Sequence, residues 1–381
     1  MQHNTKSIRK ELMNRKIIWL AAIVLVVITQ SSCSQSHVYM KTVDSLEKDR
    51  LKDHVHNLSH TIGIRNIENQ SNFEKLEAAA NYIVQQFKAM GFTEPNLKIH
   101  EYAATYNDQT YVMKNIEVVI NSSPGCNRKN ESIVIGAHYD TVNTSPGAND
   151  NASGVAALLE IARYMKQYDC KLKKTLKLVA FPNEESPYSK DTVTGAFFGN
   201  NMGSVNYATK AREHNEAIKG MISLECLGNY TDNTKSQDYP PYLPSWLRWL
   251  IGLPYHSKGN FIGFVSNIDS YGFLKECTSS YKKTKKAFPM HYISLPYKLD
   301  PGIGRSDHKS FWNQGYKAIM ITDTADKRDV NYHSATDTMD QLNFESFTKV
   351  VEDLKAMTAK LCKVNKNVLK EVSTDPTSST I

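Results

Sequence analysis

The chain has few cysteines, and none of them form a Cys-x-x-Cys pair. It contains six cysteines in 381 residues, whereas zinc and redox sites of the cysteine type need closely spaced thiols. A metal site built on cysteine is therefore not expected. Five cysteines follow Cys33. An oxidising compartment would thus leave at least one thiol without a partner inside the chain.

An apolar run long enough to cross a bilayer is also missing near the N-terminus. Ile17–Ile28 has 12 apolar residues, and a spanning helix needs about 20. Basic residues precede this run and small residues follow it, so residues 1–32 are predicted to be a signal peptide. Gln30-Ser-Ser-Cys33 resembles a bacterial lipoprotein processing box, which predicts a lipid on Cys33 and a tether over residues 33–45. A signal peptide cleaved nearby and an uncleaved signal anchor are the alternatives. In each case the folded part is expected to be exported, to the periplasm or the cell exterior.

A strong net charge is absent from the expected mature chain. The whole sequence carries +7, but residues 1–32 hold five basic residues and one acidic residue. The remainder has 41 basic and 38 acidic residues, a net charge of +3. Lys282–Lys286 is the one dense basic cluster after the signal, and it favours a solvent-exposed turn over a nucleic-acid site. No nucleic-acid partner is predicted.

Short apolar segments alternate with amphipathic ones along the rest of the chain. Helices are predicted over 45–63, 73–90, 155–168, 205–213, around Phe311 and over 344–362, and strands over 111–121, 133–137, 176–181, 220–225 and 318–322. This alternation predicts one α/β domain over residues 46–364, a three-layer sandwich with a mixed, mostly parallel sheet. Residues 365–381 are predicted to be a disordered tail. The aromatic, Pro-rich segment Asp232–Asn260 is either a packed surface excursion or a flap beside a cleft.

Residue types that bind metals follow several of these predicted strands. They are His138, Asp150, the pair Glu184 and Glu185, Glu225 and His333. Two imidazoles with carboxylates and no thiolate suit zinc or a similar metal. The surplus of carboxylates suggests two metals that share a bridging ligand, an arrangement used for hydrolysis. Open α/β sheets place their ligands at the carboxyl ends of strands, where these residues fall.

The positions of these residues suggest different roles. His138 and Asp140 project the same way from a strand end, so Asp140 is expected to orient the imidazole. Asp150 lies in a Gly- and Asn-rich turn and is the best candidate for a bridge, although it or Ser153 could instead cap the next helix. The adjacent side chains of Glu184 and Glu185 diverge, so one can bind metal while the other acts as a base.

These segments together resemble peptidase family M28, which includes di-zinc aminopeptidases, glutamate carboxypeptidases and glutaminyl cyclases. The resemblance runs from about Leu46 to Cys362 and rests on Ala137-His-Tyr-Asp140, Gly147-Ala-Asn-Asp-Asn-Ala-Ser-Gly154, Asn183-Glu-Glu185, Ser306-Asp-His308 and Tyr332-His333. It implies two zinc ions bound by His138, Asp150, Glu185, Glu225 and His333, with Glu184 as general base. It also implies that Tyr332 stabilises the intermediate and that the Asp150–Asn151 peptide is cis. Many members have Asp where Glu225 stands, and residues 186–204 form a longer loop than is usual.

The resemblance implies hydrolysis of a peptide substrate, with removal of an N-terminal residue as the leading hypothesis. Two zinc ions would activate a water, Glu184 would take its proton, and zinc and Tyr332 would stabilise the oxyanion. A glutaminyl cyclase with one zinc and a carboxypeptidase are the enzymatic alternatives. Arg305 is the weak candidate for binding a C-terminal carboxylate. An inactive binding protein on the same fold is the alternative from a different class.

Overall fold

Seven α-helices and eight strands alternate along the part of the chain that the structure describes. The computed structural model describes residues 45–126, 130–189, 199–238, 257–284 and 286–364. The helices are α1 (Ser45–His56), α2 (Gln70–Ala89), α3 (Gly154–Lys166), α4 (Gly203–Glu213), α5 (Tyr271–Lys282), α6 (His308–Asn313) and α7 (Phe344–Leu361). The strands are β1 (Leu97–Tyr106), β2 (Gln109–Ile120), β3 (Ser132–His138), β4 (Thr175–Phe181), β5 (Ile218–Glu225), β6 (Ile262–Asn267), β7 (Met290–Leu295) and β8 (Ala318–Thr322).

Several predicted segments lie outside the described residues. They are the signal peptide 1–32, nearly all of the tether 33–45, the tail 365–381, the middle of the aromatic segment (239–256) and the middle of the loop after the Glu pair (190–198). Within the described ranges, no helix is both long enough and apolar enough to cross a membrane. The five cysteines of these ranges are all free thiols.

The strands form one eight-stranded sheet in the order β1-β2-β4-β3-β5-β8-β6-β7. The central strands β4, β3, β5 and β8 run parallel to one another. β2 and β6 pair antiparallel on either side of this centre, β1 pairs antiparallel with β2, and β7 pairs parallel with β6. The predicted α/β sandwich with a mixed, mostly parallel sheet is confirmed.

Apolar side chains on both faces of the central strands hold the helices in place. In β3, Ile133 and Ile135 belong to the larger core with α3 and α7, whereas Val134 packs with residues of α4 and α6 on the opposite face. Successive side chains of a strand point to opposite faces. A short continuous apolar run therefore marks a strand covered on both sides, as is usual for parallel strands.

The predicted helices are present, and their ends follow from capping side chains. α2 begins at Gln70, three residues before the predicted start, because Asn69 caps it by accepting a hydrogen bond from the Asn72 backbone amide. Asn343 caps α7 in the same way. Gly91 follows the end of α2 with φ of +80°, a conformation that favours glycine.

Four elements were not predicted, namely β1, β6, β7 and α5. β1 and β7 lie at the two edges of the sheet, and most of their residues are partly or fully exposed. Edge strands bury little surface, so they lack the apolar pattern that identifies the central strands. β6 has six residues, and a glycine interrupts its apolar pattern at position 263.

The buried carboxylate of Glu160 on α3 joins this helix to α1. Glu160 is 1% exposed and accepts hydrogen bonds from Arg50 Nε (3.0 Å), Arg50 Nη2 (2.8 Å) and Arg163 Nε (3.1 Å). Burial alone would raise the pKa of Glu160, but His54, Arg50 and Arg163 together lower this pKa to about 2. The ionised form is therefore strongly favoured in the folded protein.

Replacing this carboxylate should give a pH-dependent loss of stability. Because the pKa of Glu160 is depressed on folding, its stabilisation is complete above about pH 4.5 and is lost as pH falls through about 2. We expect Glu160→Gln to lower the free energy of unfolding at pH 7 by about 3 kcal/mol. The difference from wild type should shrink between pH 4.5 and pH 2. Urea denaturation at several pH values measures this difference.

The matched control is Glu345→Gln, which removes the exposed partner of Lys48. Exposed pairs contribute about 0–1 kcal/mol, so this variant should stay close to wild type. A Glu160→Gln defect that is the same at pH 7 and pH 3 would contradict the assignment.

Candidate metal centre

Strand ends on the central part of the sheet bring the predicted donor residues together. β3 ends at His138 and β5 ends at Glu225. Glu185 follows β4 by four residues, Asp150 lies in the loop after β3, and His333 lies in the loop after β8. Because parallel strands have their carboxyl ends at the same sheet edge, residues distant in sequence converge there.

Asp150 lies between the two imidazoles. Its Oδ1 is 3.2 Å from His138 Nε2, and its Oδ2 is 3.1 Å from His333 Nε2. Each imidazole also faces a glutamate: His138 Nε2 is 3.4 Å from Glu225 Oε2, and His333 Nε2 is 3.3 Å from Glu185 Oε1. The five donors thus form two groups of three that share Asp150.

The donor atoms fit zinc in number, type and separation. Both carboxylate oxygens of Asp150 and the Nε2 atom of His333 are buried, with no hydrogen-bond partner among the described residues. Burying such groups without a partner is costly, so the site suits a bound cation. Zn–N and Zn–O distances of about 2.0 Å in a tetrahedron place neighbouring donors about 3.3 Å apart. The separations here match that value.

The two groups of donors differ in their access to solvent. The His138 side chain is 1% exposed, whereas the His333 side chain is 35% exposed. His333 also has a positive φ of 58°, and Thr144 Oγ1 holds its backbone carbonyl at 2.8 Å. The group around His138 is therefore enclosed, whereas the group around His333 is accessible to solvent on the side of that imidazole.

Asp140 ties the ends of β3 and β4 together. It accepts hydrogen bonds from the backbone amides of Glu184 (3.0 Å) and Glu185 (2.9 Å). Its Oδ1 lies 3.4 Å from His138 Nδ1, which is longer than a typical hydrogen bond. The closer contacts of Asp140 therefore position the glutamate pair, in addition to its expected contact with the imidazole.

The turn that carries Asp150 is fixed on both sides. Asp337 accepts hydrogen bonds from the backbone amides of Asn149 (2.7 Å) and Asp150 (3.1 Å). On the other side Asn151 donates to the Leu224 carbonyl (2.8 Å). The Asp150–Asn151 peptide is cis, as the resemblance implies. Asp337 and Asn151 were missed as supporting residues, although Asn151 lies in the Gly147–Gly154 motif noted in the sequence.

Ser153 precedes α3 but makes no capping bond there. Its hydroxyl donates to the Asn149 carbonyl (2.6 Å) and accepts from the Leu227 amide (2.8 Å). The expected cap is thus replaced by contacts that join the turn to the segment after β5.

A buried arginine fixes the loop between His138 and Asp150. Arg65 is 0% exposed. Its guanidinium donates to the carbonyls of Tyr139 (2.6 Å), Pro146 (2.8 Å), Gly147 (3.3 Å), Leu58 (3.0 Å) and Gly63 (3.0 Å). Burial lowers the pKa of Arg65 to about 10, while the nearby acids Asp140, Asp337 and Asp150 act to raise it. The side chain remains charged at neutral pH. Its role was also missed, since a single arginine in a loop belongs to no periodic pattern.

Glu184 follows a sharp turn after β4. Asn183 adopts a positive φ of 63°, and its side chain donates to the carbonyls of Tyr188 and Asn201. Burial, together with the negative Glu185, Glu225 and Asp307, raises the pKa of Glu184 well above its usual value, against an opposing effect from His138. The site therefore favours a proton on this carboxylate.

Glu225 is held by two neighbouring side chains. Ser306 donates to Glu225 Oε2 at 2.7 Å, and the Cys226 thiol lies 3.3 Å from Oε1. Although Glu225 is longer than the Asp that the resemblance suggests for this position, its Oε2 lies 3.4 Å from His138 Nε2. The first group of donors is therefore complete.

Comparison with known proteins identifies the family. A model described as "Peptidase family M28" matches residues 115–358, which include all five donors. The Escherichia coli "Uncharacterized protein YfbL" is 32% identical over 313 residues, which cover 80% of this chain and 85% of that protein. The chain belongs to peptidase family M28. The predicted class, a metal-dependent hydrolase of peptide bonds, is confirmed by this membership.

Other relatives of this M28 peptidase have assigned names. "Leucine aminopeptidase 1" of Metarhizium robertsii is 28% identical over 236 residues, which cover 60% of this chain and 50% of the relative. The chain thus spans about half the length of that enzyme. Among solved structures, LapA aminopeptidase of Legionella pneumophila has a TM-score of 0.58 at 17% identity. The match covers 88% of this chain and 78% of the LapA chain. Glutaminyl cyclase of Bacteroides thetaiotaomicron has a TM-score of 0.57 at 18% identity, with coverages of 81% and 96%. At such identities the likeness shows the fold alone.

The hydrogen bonds from Arg65 to the loop between His138 and Asp150, called the loop clamp below, can be tested by measuring metal affinity. Arg65→Lys keeps the charge but offers three donors in place of the guanidinium fork, so the loop between His138 and Asp150 should loosen. We expect zinc affinity, measured by competition with a chelator, to fall about 10–100-fold. Arg212→Lys on α4 is the control and should bind zinc as wild type does. A folded Arg65→Lys protein with unchanged zinc affinity would show that the clamp does not position the donors.

Proposed function

We propose that this M28 peptidase is an aminopeptidase that uses two zinc ions. The observation that carries the proposal is the placement of the Asp150 oxygens, one facing His138 and Glu225 and the other facing His333 and Glu185. One zinc would be held by His138, Asp150 and Glu225, and the other by Asp150, Glu185 and His333. Bound zinc supplies Lewis acidity and makes water a stronger acid.

Glu184 is the proposed general base. It is half-buried and directly precedes the donor Glu185, a position that suits a carboxylate that takes a proton from water and returns it to the leaving amine. Proton transfer is most efficient when the pKa of the catalytic group is close to the working pH. A bound cation would lower the pKa of Glu184 from its metal-free value towards this range.

Tyr332 is the proposed donor to the oxyanion. Its ring stacks on His333 with centroids 3.9 Å apart, which places it beside the exposed donor group. Burial and the negative charges of Asp150 and Glu185 raise the pKa of Tyr332 well above 10. The phenol therefore keeps its proton, and Arg305 Nη2, 3.4 Å from the Tyr332 hydroxyl, adds positive charge nearby.

The charge around the site favours a free N-terminus over a free C-terminus as the bound end. Arg305, the basic residue that contacts Tyr332 in the described part of the chain, is paired with Asp326 at 3.1 Å, so it does not offer a free cation to a C-terminal carboxylate. The names of the relatives called leucine aminopeptidase agree with this choice.

Two groups of donors also argue against a cyclase with one zinc and against an inactive binding protein. A single-metal enzyme has no need for the second imidazole and carboxylate beside the shared Asp150. An inactive relative has no need for buried donors without hydrogen-bond partners, which carry a cost in stability.

The proposal predicts a specific pattern of activity. The zinc-loaded protein should release the N-terminal residue of a short peptide and leave its N-acetylated form intact. Glu184→Gln should lower kcat by about 10²–10⁴-fold while keeping two zinc ions per chain, since Glu184 is not a donor. Peptide hydrolysis followed by chromatography, with metal analysis of the same samples, measures both quantities.

The control is Glu101→Gln, a change in the exposed part of β1, which should leave rate and metal content unchanged. Peptides with N-terminal glutamine separate the proposal from a cyclase, because a cyclase would form pyroglutamate and release no amino acid. One zinc per chain in active wild-type protein, or a metal-replete Glu184→Gln enzyme at full rate, would contradict the proposed site.

We also propose that the enzyme is an exported lipoprotein. The basic residues before Ile17–Ile28 and the segment Gln30-Ser-Ser-Cys33 support this assignment. A lipid on Cys33 would tether the catalytic domain to a membrane surface, where it would meet exported or extracellular peptides. Residues 33–45 would provide the connection to the domain.

Lipid labelling tests the anchor directly. The full chain expressed in bacteria with a labelled fatty acid should carry the label and sediment with membranes, and Cys33→Ser should carry none, because the acceptor thiol is missing. Cys126→Ser, which changes another exposed cysteine, should be labelled as wild type is. Equal labelling of wild type and Cys33→Ser would overturn the lipoprotein assignment.

A further inference from the structure

One cysteine lies at the metal centre, in a position that neither the donor set nor the mechanism uses. Cys226 directly follows Glu225 at the end of β5 and is 0% exposed. Neighbouring side chains of a regular strand point in opposite directions. Here the backbone leaves the strand conformation, because Cys226 has a φ of 49°. The Cys226 sulfur consequently lies 3.3 Å from Glu225 Oε1.

The cysteine belongs to a group of three donors. Asp150, Glu225 and Cys226 each offer one ligand atom, and these atoms all lie within 4.8 Å of one another. All three residues are buried. Asp150 provides an independent indication of a ligand, because it is 3% exposed and neither of its oxygens has a hydrogen-bond partner among the described residues. The sulfur therefore lies beside an unsatisfied carboxylate at the enclosed donor group.

Sulfur would change the metal preference of that group. The other donors are imidazole nitrogen and carboxylate oxygen, which accept a broad range of divalent metals. Thiolate is a softer ligand that favours zinc and its heavier congener cadmium over magnesium or manganese. A zinc with three protein donors and a bound water can accept a fifth donor, so a thiolate can bind without taking the position of the water.

We propose that Cys226 is a ligand of the enclosed metal site and makes this site selective for thiophilic metals. This inference rests on the proposed function, because it assumes a metal held by His138, Asp150 and Glu225. On binding, the S–H bond breaks, the proton leaves to solvent and a sulfur–metal bond forms. No electrons are transferred, so the step needs no oxidant or reductant.

The competing role for Cys226 is a hydrogen bond from the thiol that orients Glu225. Loss of either role would weaken metal binding, since groups that orient ligands also contribute about 10–100-fold in affinity. An affinity measurement alone therefore cannot separate them. A spectroscopic signal that arises only from a metal–sulfur bond can.

Cadmium provides that signal, because cadmium bound to thiolate has a charge-transfer absorption band in the ultraviolet. Metal-free mature protein in which the exposed Cys126 and Cys170 are changed to serine, the reference called wild type in this experiment, is titrated with cadmium, and absorbance and bound cadmium are recorded together. Wild type should develop the band as the enclosed site fills, and Cys226→Ser should lose it while still binding cadmium. Cys277→Ser is the matched control, since Cys277 is equally buried but lies in the apolar core on α5. It should retain the band.

Each outcome decides between the possibilities. Cadmium binding by wild type without the band, or a band that persists in Cys226→Ser, overturns the inference and leaves the proposed function standing. No cadmium binding by any variant contradicts the metal centre itself. If Cys226→Ser does not fold, ¹¹³Cd NMR of the wild-type protein decides, because a thiolate ligand moves the cadmium resonance strongly downfield of the position for nitrogen and oxygen donors.

Discussion

The two oxygens of Asp150 reach different imidazoles only because the short turn that carries this residue is fixed from several directions. Asp337 holds its backbone amides, Asn151 attaches it to the end of β5, and Arg65 binds the carbonyls of the preceding loop. A buried carboxylate with no hydrogen-bond partner is unfavourable by itself. The surrounding contacts keep the Asp150 carboxylate in place. The free energy needed to order the donors is therefore supplied by folding, and the donors are already arranged when a metal binds.

The two donor groups have different surroundings although they share one carboxylate. His138 and Glu225 end central strands and are buried, and Ser306 and Cys226 contact the two oxygens of Glu225. His333 comes from a longer loop, and a third of its side chain is exposed. Substrate can therefore approach from the side of His333, where Tyr332 also lies, while the group around His138 is protected from solvent.

The sequence predicted the central sheet and the metal-binding residues because both have strong local patterns. β3, β4, β5 and β8 are short apolar runs covered on both faces, and the donors are the last residues of these strands or lie in the loops after them. The edge strands β1 and β7 escaped prediction because they bury little surface. Arg65 and Asp337 escaped it for a different reason: their importance comes from contacts with backbone groups that are distant in the sequence. No local pattern reports such contacts, and they become visible only in three dimensions.

The donors His138 and His333 are about 200 residues apart in the chain, and closing a loop of that length is entropically costly. A metal bound at the shared site acts as a cross-link between the middle and the C-terminal part of the domain. A metal that binds the folded state and not the unfolded chain stabilises the fold by an amount that grows with the logarithm of the metal concentration. A disulfide can serve the same purpose, whereas the five cysteines in the described part of the chain are free. In this protein the catalytic metal would take the place of such a disulfide. Loss of the metal would therefore remove both the activity and a link between distant parts of the fold.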